Sequence, residues 1–260
     1  MNLKKIFVYI FLPIFLITSV PAGYYGSKKV YRYYLNQKNH SQIEPAIPST
    51  TDQQPSAISY PPGTNLPIDF YSQAPYADWS MPYQEACEEA SLIMAYNFVA
   101  GIQMSLEEFH QELLDLVDWE IGYFGYYEHT TLEETAEILT EYYDFSDWEI
   151  LEIKTIQDLK PHLSAGNPII APFAGRMLEN PNYTGEGPYY HMMVLRGYDE
   201  SHVITNDVGT RNGENYQYTY NVLLESLHNW HDIDISLGEK VVLVLKNTSS
   251  LLSQTPKNLP

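Results

Sequence analysis

The apolar pattern of this chain changes period once, and that change restricts the fold more than any other feature. Between residues 85 and 163 apolar side chains recur at helical spacing; between 168 and 246 they come in short strand-like runs. Residues 85–100 set Cys87, Ala90, Ser91, Met94 and Phe98 on one helix face, and Gly101 stops the helix. Ser105 opens a second helix, 105–117, with the capping pattern Ser105-Leu106-Glu107-Glu108. Thr131 repeats the device with Glu134 for a helix over 131–143, and 155–163 is a short fourth helix ended by Gly166-Asn167-Pro168. Residues 190–198 and 202–207 read as two strands joined by the turn Asp199-Glu200-Ser201. The run 168–173 is a further apolar segment, 221–230 one more helix, and 240–246 a buried final strand. Helices first and an antiparallel sheet second predict an α+β domain over 64–246. Most of the acidic residues, spread along the helices, read as a solvated face.

Charge separates this domain from what precedes it. Residues 1–60 hold six basic residues against two acidic ones, so of a net charge of -19 the remaining residues carry -23. Residues 1–5 are a basic head, and 6–27 are uncharged and rich in Ile, Phe, Leu and Val. Two readings of 1–35 stay open. One is a signal peptide cut near Val20-Pro21-Ala22. The other is an N-terminal membrane anchor that ends at Tyr24-Tyr25 and the basic flank Lys28-Lys29. Either places the acidic domain outside the cytoplasm, membrane-anchored or secreted, with the membrane as a partner through the N-terminal segment. Residues 36–63 carry Pro45, Pro48, Pro55, Pro61 and Pro62 among Ser, Thr, Gln and Asn, and are expected as a disordered linker. Residues 247–260 are expected as a disordered tail. The acidity argues against nucleic acid as a partner. A single cysteine excludes an intramolecular disulfide and any multi-cysteine metal site.

That cysteine, Cys87, stands at the start of the first helix. Unpaired N–H groups and the positive end of the helix dipole favour a thiolate there. The position equally suits a small buried apolar residue, and Glu85, Glu88 and Glu89 oppose a thiolate. A nucleophilic cysteine needs a base, and the base needs an orienting partner. His191 opens an apolar strand. If that strand pairs with the next about the 199–201 turn, residues whose numbers sum to about 400 lie opposite each other. His191 and Asp207 sum to 398, so the spacing predicts this carboxylate beside this imidazole. A hydrogen-bonded core histidine and an aspartate that only starts the Asp207-Val208-Gly209 turn are the alternative.

Several segments, in order, resemble a known family. They are Gln73-Ala74-Pro75-Tyr76-Ala77-Asp78-Trp79, Cys87-Glu88-Glu89-Ala90-Ser91, Gly166-Asn167-Pro168-Ile169-Ile170, His191 to Asp199 and Asn206-Asp207. They look like the peptidase domain of bacteriocin-processing transporters of the double-glycine leader type, and more closely like the stand-alone cysteine peptidase-like bacterial proteins related to it. The resemblance implies a papain-like fold, with the cysteine on a helix start and the sheet carrying His and Asp. It implies Cys87 as nucleophile, His191 as base and Asp207 as its orienting partner. It also implies a glutamine as oxyanion donor, for which Gln73 is preferred over Gln84 because it lies in the resembling Ser72-Gln73-Ala74-Pro75 segment. The activity implied is hydrolysis of a peptide or protein substrate through a thioester, with no cofactor and no metal. Two features depart from the family pattern: Glu88 stands where a glycine often follows the cysteine, and Gln73 lies further upstream than usual.

Other functions fit the same residues. The triad suits an amidase or a transpeptidase, and Glu88 with the displaced glutamine suits a catalytically inactive module that binds peptides or the cell wall. His228 and His231 lie one helical turn apart near Asp232 and Asp234, but no glutamate stands between them as in a zinc protease motif. They read as a surface pair at a helix end. Tyr123, Phe124, Tyr126 and Tyr127 fall in an expected loop, 121–129, and are expected to pack rather than to line a groove.

Overall fold

The computed structural model describes residues 61–247, which fall within one compact unit. The expected segment 1–35, most of the linker 36–63 and nearly all of the tail 247–260 lie outside the described residues.

Three helices come first: α1 (Cys87–Ala100), α2 (Leu106–Tyr123) and α3 (Leu132–Glu141). Both expected capping boxes are present. Ser105 and Thr131 accept the N–H of Glu108 and Glu134, and these glutamates return a carboxylate to the cap N–H. Such a cap contributes about 1 kcal/mol. α1 ends at Gly101, whose φ of 70° lies in the left-handed region where a Cβ is strained. Its beginning differs from expectation. A 3₁₀ turn, Tyr83–Glu85, precedes it, and Cys87 follows Ala86, which offers no side-chain cap. The first-turn N–H groups of α1 are therefore not closed off by a capping side chain. α2 runs to Tyr123, well past the expected end at 117. The expected helix 155–163 is a 3₁₀ turn, Ile156–Asp158, followed by α4 (Lys160–Ser164). α5 is Tyr220–Ser226.

The sheet comprises β1 (Thr64–Asn65), β2 (Trp148–Glu152), β3 (Ile169–Ala174), β4 (Tyr190–Tyr198), β5 (His202–Asn206), β6 (Tyr216–Thr219) and β7 (Val241–Leu245). Its order is β2-β7-β3-β4-β5-β6, with β1 on β4, and every pairing is antiparallel. The described domain is a mixed helix and antiparallel-sheet structure, as the change of period predicts. β1, β2 and β6 were not expected. They are short or only partly buried and carry no apolar run.

β3, β4 and β7 are buried at every position because both faces of the sheet are covered. Phe173, Met193, Leu195, Val242 and Val244 pack with Leu159, Leu163, Leu223 and Leu227 around α4 and α5. The alternate residues Ile170, Met192, Val194 and Leu243 are equally buried. On their side Ser91 of α1 donates to the Met192 carbonyl, and Thr135 of α3 reaches the Met192 sulfur. Burying each large apolar side chain contributes about 1.5–3 kcal/mol. α1 is enclosed so fully that Glu88 and Glu89 are buried with it, as are Glu120 and Glu134. These four are exceptions to the solvated acidic face, which most acidic residues of the helices do form: helix packing, not charge, decides which positions meet water. No helix among the described residues is long and apolar enough to cross a membrane.

Candidate active site

The pairing of β4 and β5 sets the first half of the site. Val194 lies opposite Asn206 and Leu195 opposite Thr205, the register expected from the turn; a bulge then shifts it, so that Gly197 faces Ile204. Asp207 directly follows β5, and His191 is the second residue of β4. Continuing the register puts Asp207 across from Met193, on whose face His191 also lies. The two side chains meet diagonally: His191 Nε2 is 2.8 Å from Asp207 Oδ1, with 1% and 0% of the side chains exposed.

Asp207 is richly supplied with donors. The Gly209 N–H reaches Oδ1 at 3.1 Å, while Oδ2 accepts from the Tyr218 hydroxyl at 2.6 Å, the Tyr183 hydroxyl at 2.8 Å and the Asn180 amide at 2.9 Å. Burial works to raise the Asp207 pKa. The His191 imidazole and the tyrosine hydroxyls together outweigh it and hold the carboxyl below its usual range. An ionised Asp207 takes the Nε2–H of His191, which leaves Nδ1 as the nitrogen available to a nucleophile. The Tyr183 ring meets the imidazole edge-on at 5.6 Å. On the other side, a Cβ at Gly209 would stand 2.9 Å from His191 Cε1, so the chain passes this close only as glycine.

α1 supplies the second half. The main-chain N–H of Met192, the residue after His191, hydrogen-bonds the Cys87 sulfur. With the Ser91 bond to the same residue, this holds the helix start beside the strand that carries the histidine. The thiol is 6% exposed and donates to Glu88 Oε2 at 3.0 Å. Burial, and after it the Glu88 carboxylate, push the Cys87 pKa well up, while the Met192 N–H pulls the other way. Cys87 therefore rests as a thiol.

Glu88 is itself 1% exposed, and burial, then the charge of Glu89, push its pKa well above the carboxylate range. Burial raises Glu89 to about 7, and raises Glu120, in the last turn of α2, further still. Glu89 and Glu120 hydrogen-bond each other and have no partner from another residue besides. A carboxyl–carboxyl bond requires a proton. It belongs on Glu120, because the N-terminus of α1 favours a charge on Glu89 and the C-terminus of α2 disfavours one on Glu120.

Cys87 and His191 line one cleft of about 840 Å³, together with Gln73, Trp79, Tyr183 and Tyr189. A smaller hollow of about 320 Å³ beside Tyr71 and Met104 holds none of the expected site residues. The Gln73 N–H is bonded to Val208 O at 3.1 Å, next to Asp207. Its side-chain amide donates to Tyr83 O at 2.9 Å and Gln84 O at 3.0 Å, so both amide hydrogens hold the 3₁₀ turn that leads to Cys87. Gln84 also lines the cleft, with an exposed side chain.

Sequence reasoning missed Asn180, Tyr183 and Tyr218. The alternation Tyr216-Gln217-Tyr218 was the available signal for the strand that carries the last of them. It also misplaced His228. α5 stops at Ser226, and His228 is buried, its N–H on Pro172 O at 3.1 Å and its Nδ1 3.0 Å from Gly238 O. The Pro172 carbonyl and the bridge between Phe173 and Leu227 tie this segment to β3. Among the described residues no group of three or more His, Cys, Asp and Glu could hold a metal ion. Of the four aromatics, Phe124 and Tyr127 are buried, Tyr126 donates to Glu134, and Tyr123 stacks on Trp119; none lines the cleft.

No curated protein matches this chain. A crystal structure of a Bacillus anthracis protein assigned as a C39-like peptidase is similar over 69% of this chain and 95% of its own, with 16% identity and a TM-score of 0.47. The model of the Peptidase_C39 like family matches residues 65–234, a span that takes in the helices, the cleft and the His191–Asp207 pair. This chain therefore belongs to the Peptidase_C39 like family, and the membership implies a peptidase hydrolase of the cysteine type.

Proposed function

We propose that this protein is a cysteine peptidase of papain-like layout that cuts peptide bonds outside the cytoplasm, through Cys87, His191 and Asp207. The observation that carries the reading is the His191–Asp207 bond on the cleft that Cys87 also lines. His191 Nδ1 takes the thiol proton as the sulfur attacks the substrate carbonyl. The main-chain N–H of Cys87 and the amide of Gln73 stabilise the oxyanion; Gln73 gives up one of its carbonyl bonds to do so. The amine then leaves with the proton from His191, a thioester remains, and water activated by His191 releases the acid. Asp207 holds the Nε2–H tautomer and supports the imidazolium. Location outside the cytoplasm rests on the basic head and apolar run of residues 1–27.

A second reading is a catalytically silent peptide-binding module, favoured by the thiol bonded to Glu88. Incubation of the full chain with a mixed peptide library separates the two. Cleavage by the native chain and none by Cys87→Ala supports the peptidase. Binding without cleavage by either supports the module, and product carrying an added amine points to transpeptidation on the same triad.

A further inference from the structure

The two buried carboxyls of the site are served in opposite ways. Asp207 has five donors, and its charge is fully supported. From other residues Glu88 has only the Cys87 S–H, a weak donor on Oε2, and its Oε1 is buried with no partner. A carboxylate buried for structural support is given N–H and O–H partners; one left this bare is poised to become neutral. The titratable groups around Glu88 add to this: Cys87, Glu85 and Glu89 on its own segment, Glu120 from α2, Tyr127 from the following loop and Tyr190 from β4. Each of them is acidic, and none supplies a positive charge.

We propose that Glu88 governs the nucleophile: charged, it accepts the thiol proton and holds Cys87 as S–H; neutral, it donates its own O–H to the sulfur and stabilises the thiolate. The proton ledger closes in both states. With Glu88 neutral, transfer of the thiol proton to His191 Nδ1 leaves one anion, the sulfur, between an imidazolium and a carboxylic acid. With Glu88 charged, the same transfer leaves two anions side by side at 3.0 Å in a buried site, and the proton stays on sulfur. The residue that stands in place of the family's frequent glycine is then a proton-linked control on the reaction, active when Glu88 is protonated. This inference rests on Cys87 being the nucleophile.

The test uses the full chain and reads the thiol without a substrate. Alkylation of Cys87 by iodoacetamide is followed from about pH 5 to about pH 8 in the native protein and in Glu88→Gln, which cannot ionise but still donates. At the acid end Glu88 is neutral in both, and the rates should agree within a few-fold. At the alkaline end Glu88→Gln should react at least about tenfold faster, since one pK step of the thiol is tenfold in thiolate. Glu88→Met, apolar and of similar length, serves if Glu88→Gln does not fold, and should also outpace the native protein increasingly with pH. A variant-to-native ratio that stays constant across the range means a packing role only and overturns the proposal. A pH-dependent ratio in a chain that cuts no peptide keeps the control of the thiol and removes the peptidase reading instead.

Discussion

His191 Nε2 and Asp207 Oδ1 meet at 2.8 Å inside the protein, and the same carboxylate accepts four further hydrogen bonds. Replacing Asp207 by Ala should lower kcat/KM for peptide cleavage by about 10²–10⁴, while Asp207→Asn, which can still accept from Nε2, should retain more. Unfolding in urea should show a loss of about 3–5 kcal/mol for Asp207→Ala, because buried donors are left without an acceptor. The Asp207 pKa is depressed in the folded state. Its contribution is therefore present above the ordinary carboxylate pKa and lost as pH falls through the folded value. Native stability should drop on strong acidification, and the drop should be smaller in Asp207→Asn.

Gln73 holds the turn before Cys87 by two hydrogen bonds to carbonyls. As an oxyanion donor it should cost about 10²–10³ in kcat when changed to Ala, with KM little altered. Gln73→Glu, of the same shape but with no donor, should behave alike. A fall in the unfolding midpoint with kcat held within tenfold would assign it to turn-pinning alone.

The Glu89–Glu120 pair makes stability depend on pH in the opposite sense to Asp207. Both folded pKa values are raised, Glu89 to about 7. Their contribution is complete below the ordinary glutamate pKa and is lost as pH rises through the folded values. Glu89 alone should cost the domain on the order of 3 kcal/mol between about pH 4.5 and neutrality. Glu120→Gln keeps a donor toward Glu89 without a titrating proton. Urea unfolding at several pH values should show a flatter profile for it and higher stability at neutral pH.

Gly209 passes under the His191 ring, where a Cβ would come within 2.9 Å of Cε1. Gly209→Ala should push the imidazole off Asp207 and cut kcat by about 10–100-fold, with a stability loss of about 1–3 kcal/mol. A chemical shift change at the His191 ring, read by NMR, should accompany the lost rate; an unmoved ring would place the effect elsewhere.

Much of this arrangement was legible in the chain. The capping residues Ser105 and Thr131 act on N–H groups three positions away, so their signal is local and complete. The 199–201 turn set a register in which His191 and Asp207 are near neighbours, because antiparallel pairing about a hairpin is arithmetic on residue numbers. The burial of Glu88, Glu89 and Glu120 was not legible. A glutamate near a helix end reads as surface from its neighbours in sequence, and only the packing of α1 against α2 and the sheet removes these three from water.

The sequence by itself determined the order of helices and strands, the pairing of the two strands that bear the histidine and aspartate, and the place of Cys87 at a helix start, since periodicity, caps and turns act over a few residues. Tertiary structure alone decided what each of these groups rests against. Asn180 and Tyr183 come to Asp207 from the loop before β4 and Tyr218 from β6, Met192 brings its N–H to the Cys87 sulfur, and Glu88 is shut in with the thiol. The contacts to Asp207 and from Met192 join residues far apart in the chain, and Glu88, although next to Cys87 in sequence, is shut away from water only by the packing around it, which is what sets the protonation of a buried group.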